Sequence, residues 1–313
     1  MLNSLKKDIY QVYVKIKRRI KRPFYRINAK INVAHNVNEL DKKGRIFNKL
    51  YLKQKFLNGG TGSLDNYYHF NFDLILPLYL LLSKNENLEI FLVEEGIGYF
   101  KFRITEFFSE RVKFISNEVW LNNDDSSYIL GMNPIIYKSK PGVLNGFKAY
   151  LINQLSLVTN YYSRSIVVIE RGKTDPKKLS KERQNKGSGT DRRSISNHKE
   201  LLDLIEEHYN PKYKLINVKL EDLEFKQQIE MFDNASLVIG QHGAGLTNCL
   251  WMKSGAKVIE ISNNKFKSHF ARLCQQKEIS HTYFETKDEH TTIDLTAFET
   301  KVINNKLFSD YFN

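Results

Sequence analysis

Apolar positions recur at different periods along the chain, and the changes of period mark the elements. Over residues 4–20, Leu5, Ile9, Val12, Ile16 and Ile20 fall at three- and four-residue steps, with Tyr13 alongside and Lys and Arg filling much of the rest. This predicts a basic amphipathic helix. Residues 31–160 read as a first α/β unit. Short runs at Glu89–Val93, Arg111–Ile115 and Tyr128–Leu130 predict strands, and helical spacing covers Asn71–Leu82, Phe100–Phe108 and the stretch through Phe147, Leu151, Leu155 and Leu157. Residues 164–285 repeat the rhythm more clearly. Ser165–Ile169, Tyr213–Val218, Ser236–Gly240, Lys257–Ile261 and His281–Phe284 predict strands, separated by predicted helices at His198–His208, Glu224–Phe232, Leu246–Met252 and Ser268–Lys277. Such alternation predicts a doubly wound parallel sheet. Ligands of such sheets bind beyond the carboxyl ends of the strands, so chemistry is expected in the loops after Ile169, Gly240 and Ile261. No repeat of 20–50 residues is visible, which argues against a solenoid.

The chain has 313 residues, 41% apolar and 27% charged, which suits one large or two ordinary domains. This composition excludes collagen, a disulfide scaffold and bulk disorder. The division expected is a basic helix over 1–30, a first α/β domain over 31–160, a second α/β domain over 161–290 and a C-terminal helix over 291–313. The net charge of +13 is concentrated. Residues 1–30 carry ten Lys/Arg against Asp8 alone, residues 172–193 carry eight against three acidic residues, and the remainder is close to neutral. A basic amphipathic helix can lie on an anionic bilayer, each Lys or Arg contributing about 1 kcal/mol near the surface; packing on its own domain is the alternative. Nucleic-acid binding would interleave basic and aromatic residues over a folded face, which this distribution does not. Cys249 and Cys274 are the only cysteines, outside any Cys-x-x-Cys pattern, so neither a zinc site nor a disulfide framework is expected, and a reducing compartment is. No run of about 18 apolar residues exists to span a membrane, and Met1–Ala29 lacks the apolar core of a secretory signal. Taken together with the resemblance described below, the expected location is cytoplasmic, peripheral on the cytoplasmic face of the inner membrane.

The most specific local pattern is Gly240-Gln-His-Gly-Ala-Gly-Leu-Thr-Asn248, placed after an apolar strand and before a predicted helix. Its glycines let backbone approach a ligand closely, and a helix N-terminus there would favour an anion. His242 can donate to a phosphate or stabilise a leaving oxyanion; a tight turn carrying a solvated His is the plain alternative. Arg171, Lys173 and Arg193 flank the end of the first strand of this unit, and guanidinium forks suit a diphosphate. Glu260 ends the next apolar strand, where a carboxylate can accept from ribose hydroxyls or pair with a neighbour. Asn248 can instead cap the turn. The run Ile169-Glu-Arg-Gly-Lys173 lacks the Gly-x-Gly-x-x-Gly of a nicotinamide-dependent oxidoreductase.

Together, the segment from Phe225 through the glycine turn to Trp251-Met252, Gly255-Ala256 and Val258–Ile261 resembles glycosyltransferase family 61. Asn66-Tyr67-Tyr68-His69-Phe70, with Asp73 and Pro77, resembles the family's N-terminal block, and Arg193-Ser-Ile-Ser-Asn197 its central element. The blocks occur in the family's order over roughly residues 60–285. The resemblance implies a GT-B architecture, two Rossmann-like domains facing a cleft, and inverting transfer from a nucleotide sugar to a glycan or lipid-linked glycan without a metal or other cofactor. It also implies a setting in bacterial surface polysaccharide synthesis. Arg171, Lys173, Arg193, Asn197, Gly243, Ala244, Gly245, Leu246, Thr247, Asn248 and Glu260 are then the expected donor contacts. Departures from the pattern are His198 where Glu is usual, a basic insertion over about 173–191, and Ser254-Gly255 for Pro-Gly.

An inverting transfer needs a base for the acceptor hydroxyl and positive charge for the departing diphosphate. No Asp-x-Asp metal motif is found, so that charge is expected from the protein. His69 is the expected base, with Asp73 one helical turn on to orient it or to act itself. Asn66, Tyr67 and Tyr68 are the expected acceptor-side residues; fixing a helix N-terminus and packing in the core are their alternatives. His198, His208, His269, His281 and His290 show no metal-ligand spacing.

Overall fold

Short runs of Val and Ile with little polar alternation suit strands covered on both faces, and the runs at Ser165–Glu170, Ala235–Gln241 and Lys257–Ser262 become central strands of the molecule. The computed structural model describes residues 32–34, 48–54, 64, 66–123, 127–130, 142–157, 164–178, 189–263 and 269–312. Its strands are β1 (Asn32–Ala34), β2 (Lys49–Gln54), β3 (Glu89–Val93), β4 (Val112–Ile115), β5 (Ser127–Leu130), β6 (Ser165–Glu170), β7 (Ser194–Ile195), β8 (Lys214–Lys219), β9 (Ala235–Gln241), β10 (Lys257–Ser262), β11 (Ser280–Glu285) and β12 (His290–Thr291). Two five-stranded sheets form, with orders β1-β5-β2-β3-β4 and β11-β10-β9-β6-β8, and β7 pairs with β12 separately. Among the described residues every pairing between these strands is parallel, and a lone antiparallel bridge joins Tyr209 to Phe312. The protein is thus α/β with parallel sheets. Burial follows position: β6, β9 and β10 are almost wholly buried, whereas β8 and β11 at the edges expose several residues.

In its own strand order the second sheet runs 2-1-3-4-5, the doubly wound order whose direction reverses between its first and third strands. That reversal opens a crevice at the carboxyl ends of β6 and β9. One contiguous buried cluster covers one face of the second sheet and extends into the first, containing Leu50, Leu92, Val238, Val258 and Trp251 together. A smaller cluster with Leu237, Ile239, Ile259 and Ile261 covers the opposite face.

Several elements differ from expectation for local reasons. Strand β2 was not expected, because Lys49, Lys53 and Gln54 dilute its apolar pattern; alternation nevertheless buries Leu50 and Leu52. The helix expected at 71–82 begins earlier. A single turn at Tyr67–His69 widens into a π-helix over Phe70–Ile75, every residue of it buried, before an α-helix at Leu76–Leu82. The helix after the glycine turn is a 3-10 helix, Ala244–Trp251. The C-terminal segment is not one helix: Leu295–Phe298 is α, Glu299–Ile303 π and Lys306–Phe308 3-10. The expected helix at 4–20 and part of the basic insertion, residues 179–188, lie outside the described residues. Among the described residues no helix is long and apolar enough to cross a membrane. Cys249 and Cys274 are buried free thiols.

Candidate active site

The crevice between β6 and β9 is lined by the residues that follow those strands. Arg171 leaves the end of β6 and donates from Nη1 to the carbonyl of His242, at 3.0 Å, across the switch point. Gly243 makes this approach possible: a Cβ there would fall on Arg171 Nη1. Gly189 performs a similar service on the other side, with φ +55° and a position where a Cβ would meet the carbonyl of Gly172; only glycine suits both demands.

Arg193 reaches the same crevice by a route the sequence pattern did not reveal. It precedes β7, and the β7–β12 ribbon is fastened by Gln241, whose amide donates to the carbonyls of Glu289 at 2.8 Å and Ser194 at 3.4 Å. Asn197 clamps the ribbon's far end, donating to the Ile293 carbonyl at 2.9 Å and accepting from the Ile293 N–H at 2.8 Å. Arg193 is 5% exposed, and its guanidinium pairs with Glu289 at 3.1 Å. Burial, then the neighbouring Arg193 charge, pushes Arg171 down to about 10. Burial, then Arg192, lowers Arg193 as well. Two guanidiniums held together under such strain are a site that an anion relieves. Lys173 is exposed beside them.

Of the expected donor-binding run, Leu246, Thr247 and Asn248 are fully buried, while His242, Ala244 and Gly245 keep partial exposure. Asn248 is wholly engaged. Its Oδ1 accepts from the Tyr67 hydroxyl at 3.1 Å and from Trp251 Nε1 at 3.0 Å, and its Nδ2 donates to Gln228 at 3.0 Å and to the Gly245 carbonyl at 3.2 Å. It is therefore the staple of the glycine turn, and the part-buried Tyr67 is joined to it through its hydroxyl. Thr247 Oγ1 is buried without a hydrogen-bond partner among the described residues.

Glu260 is 0% exposed, and both its oxygens are taken. His242 Nδ1 donates to Oε1, and His281 Nε2 donates to Oε2 at 2.8 Å. Burial alone would raise this carboxyl, but the two imidazole hydrogen bonds outweigh it and the net shift is downward. The expected ribose contact does not fit a side chain so enclosed.

On the other side, Asn66 caps the first turn of its helix, its Oδ1 accepting from the Tyr68 N–H at 2.9 Å. One turn on, His69 Nδ1 and Asp73 Oδ2 lie 2.6 Å apart. A carboxylate only accepts, so Nδ1 carries the hydrogen and Nε2 is left as the free basic nitrogen. The Tyr68 ring packs on His69 at 5.3 Å, Phe72 at 4.9 Å, His269 at 6.3 Å and Phe270 at 6.0 Å, and Phe270 in turn packs on His242 at 5.3 Å. His69 and His242 therefore flank one aromatic floor. His269, exposed beside it, is lowered by burial first, then by the nearby His242 and His69, while Glu260 opposes. The sequence offered no metal-ligand spacing for His269 or His281; their neighbours, Tyr68 and Glu260, come from other elements of the fold. No group of three His, Cys, Asp or Glu among the described residues could hold a metal ion.

These residues coincide with a known family pattern. The family model described as Glycosyltransferase 61 matches residues 67–259, well over half of the chain, and the protein belongs to that family. Among curated proteins it is 29% identical over 100 residues to the EGF domain-specific O-linked N-acetylglucosamine transferase of Gallus gallus, covering 32% of this chain and 19% of that one. It is 34% identical over 98 residues to the Beta-1,2-xylosyltransferase RCN11 of Oryza sativa subsp. japonica, covering 30% and 18%. It is 31% identical over 96 residues to the EGF domain-specific O-linked N-acetylglucosamine transferase of Drosophila melanogaster, covering 31% and 18%. The chain thus matches under a fifth of the length of each of these relatives.

Proposed function

We propose that the protein is an inverting glycosyltransferase that moves a sugar from a nucleotide-activated donor to a hydroxyl of a glycan acceptor, with a GT-B arrangement of its two sheets. The observation that carries this reading is the convergence of Arg171, Arg193 and His242 on the switch point of the second sheet, facing the His69–Asp73 pair across the Tyr68–Phe270 floor. The family membership and the transferase names of the relatives support it.

In this reading the diphosphate of the donor lies against Arg171, Arg193 and the backbone of Gly243–Gly245. The acceptor hydroxyl lies at His69 Nε2. As its oxygen bonds to the anomeric carbon, the proton passes to Nε2 and the carbon–phosphate-oxygen bond breaks from the opposite face. The nucleoside diphosphate leaves with the bonding pair, and the guanidiniums and His242 neutralise the new charge. No metal is required, because this cationic pocket supplies the charge. The ten basic residues in 1–30 support a location at an anionic membrane surface on the cytoplasmic side. A bacterial surface polysaccharide belongs to the same proposal; the named relatives are animal and plant enzymes, so the acceptor class is open to direct test.

Purified protein incubated with a panel of nucleotide sugars should hydrolyse or transfer one of them. No turnover with any donor, accompanied by binding, would instead describe an inactive nucleotide-sugar-binding module. Arg171→Ala and Arg193→Ala should each weaken donor use by about ten- to a hundred-fold, the value of one or two charge-assisted hydrogen bonds. Unchanged donor KM and kcat in both variants would remove the diphosphate from this crevice.

A further inference from the structure

We propose that Glu260 and His281 are positioning residues for His242, forming a His281–Glu260–His242 array that aims the outer nitrogen of His242 at the departing diphosphate. This rests on the role given to His242 above.

The array follows from strand register. Glu260 pairs with Gly240 in β9 and with Tyr283 in β11. Paired residues of parallel strands share a face, and residues two apart along a strand share it too. His242, two residues beyond Gly240, and His281, two before Tyr283, therefore lie on the same face as Glu260, on either side of it. The ladder continues past β9, since the His242 N–H donates to the Ile261 carbonyl at 2.9 Å. That bond fixes the backbone of His242 relative to β10. The face is the one covered by Val238, Val258, Phe270 and Leu273, so a carboxylate there is costly unless paired and hydrogen-bonded.

What the array does is decided by the donors and acceptors. Glu260 accepts on both oxygens, so His242 Nδ1 and His281 Nε2 each carry a hydrogen. With Nδ1 committed inward, Nε2 is the only nitrogen His242 can turn toward the glycine turn. Donating from Nε2 to a phosphate oxygen requires a second hydrogen, which makes the ring an imidazolium, and Glu260 is the counter-charge beside it. His281 holds the other oxygen and so stops the carboxylate from rotating away; its side chain is 6% exposed. Phe270, packed on the outer ring of His242 at 5.3 Å, limits the remaining rotation. Among the described residues, Arg193 feels the Glu260 carboxylate, and His269 feels both His242 and Glu260.

The test uses the full chain and the donor that turns over most rapidly in the panel above. Glu260→Gln and His281→Gln should lower kcat, by about a hundred-fold and about ten-fold respectively, with donor KM within about threefold of wild type. Glu260→Asp should recover part of the loss. Added to His242→Ala, His281→Gln should cost nothing more, because its effect passes through the ring already removed. Circular dichroism checks that each variant folds, and ring 15N shifts of the wild-type protein should show His242 with a hydrogen on Nδ1 whatever the variants do. Wild-type kcat in both single variants, an equal loss from His281→Gln with and without His242, or a His242 ring bare at Nδ1 would each overturn the array. Full transfer by His242→Ala would show that the role of His242 itself is wrong, and the array falls with it; abolished transfer there with unaffected Glu260→Gln and His281→Gln would overturn the array alone.

Discussion

A buried amide has two hydrogens and two lone pairs to satisfy, and Asn248 satisfies them all by drawing Tyr67, Trp251, Gln228 and Gly245 together. Tyr67 belongs to the first turn of the Asn66-capped helix, so this cluster joins the N-terminal block to the glycine turn. Burial pushes the Tyr67 hydroxyl far up, hydrogen bonds from Trp251 and Asn71 only partly offsetting it, and the group stays protonated as a donor at all ordinary pH. Tyr67→Phe deletes that donor while Trp251 Nε1 still reaches Asn248. The cost should be about 1–2 kcal/mol of unfolding free energy, read by urea titration, with transfer reduced only in proportion to any loosening of the turn. A change below about 0.3 kcal/mol would show that the hydroxyl is not part of the staple.

At the scale of elements, the glycine turn works by closeness rather than by a helix dipole. The following 3-10 helix, Ala244–Trp251, is buried from Leu246 onward, so the partly accessible part of the turn is His242, Ala244 and Gly245, with Arg171 pressed against the buried Gly243 between them. Gly243 has an extended backbone, φ 164°, and nothing strains a side chain there except the guanidinium. Gly243→Ala should therefore displace Arg171, raising donor KM about tenfold and moving the melting temperature little. A Tm drop with unchanged KM would mean the turn, not the arginine, had needed the space. The same turn shows what a single sequence can reveal. The apolar runs of β6, β9 and β10 were legible because central parallel strands are apolar on both faces, and the glycine turn was legible because it must follow such a strand. The His69–Asp73 pair was legible too, as helix neighbours four apart. The Glu260–His281 contact was not: it depends on the register of β10 against β11, which no local pattern encodes. The β7–β12 ribbon, two residues on each side, carries too little pattern to be seen, so the means by which Arg193 reaches the crevice could only come from the fold. Leu246, Thr247 and Asn248 look like ligand contacts in the sequence because they adjoin the glycines, yet all three are buried.

For the molecule as a whole, the shared core means that the two sheets are joined by more than the connecting chain. The helix Val143–Gln154 lies at that junction. Phe147 packs on Trp251 at 6.0 Å, Lys148 pairs with Asp233 at 2.5 Å, and Lys277 donates to Asn145. Lys277 is 1% exposed, and burial, reinforced by the nearby Lys148 charge, pushes its amine down to about 7, with Asp233 and Glu278 opposing. In the unfolded chain a lysine titrates near ~10.4. Between these values the unfolded state holds a proton that the folded state declines, so stability should climb as pH rises from about 7 towards 10. Below about 7 both states are protonated and the penalty is constant, on the order of a few kcal/mol. Lys277→Met keeps the bulk and removes the charge; the lost bond to Asn145 returns about 1 kcal/mol of the gain. The variant should thus be more stable than wild type at pH 7, by a margin that shrinks steadily up to pH 9.5. Urea unfolding of both proteins at intervals across that range measures the difference directly. Parallel pH profiles for the two would show that the amine takes up its proton as readily in the folded chain as in the unfolded one, and that this junction carries no buried ammonium cost.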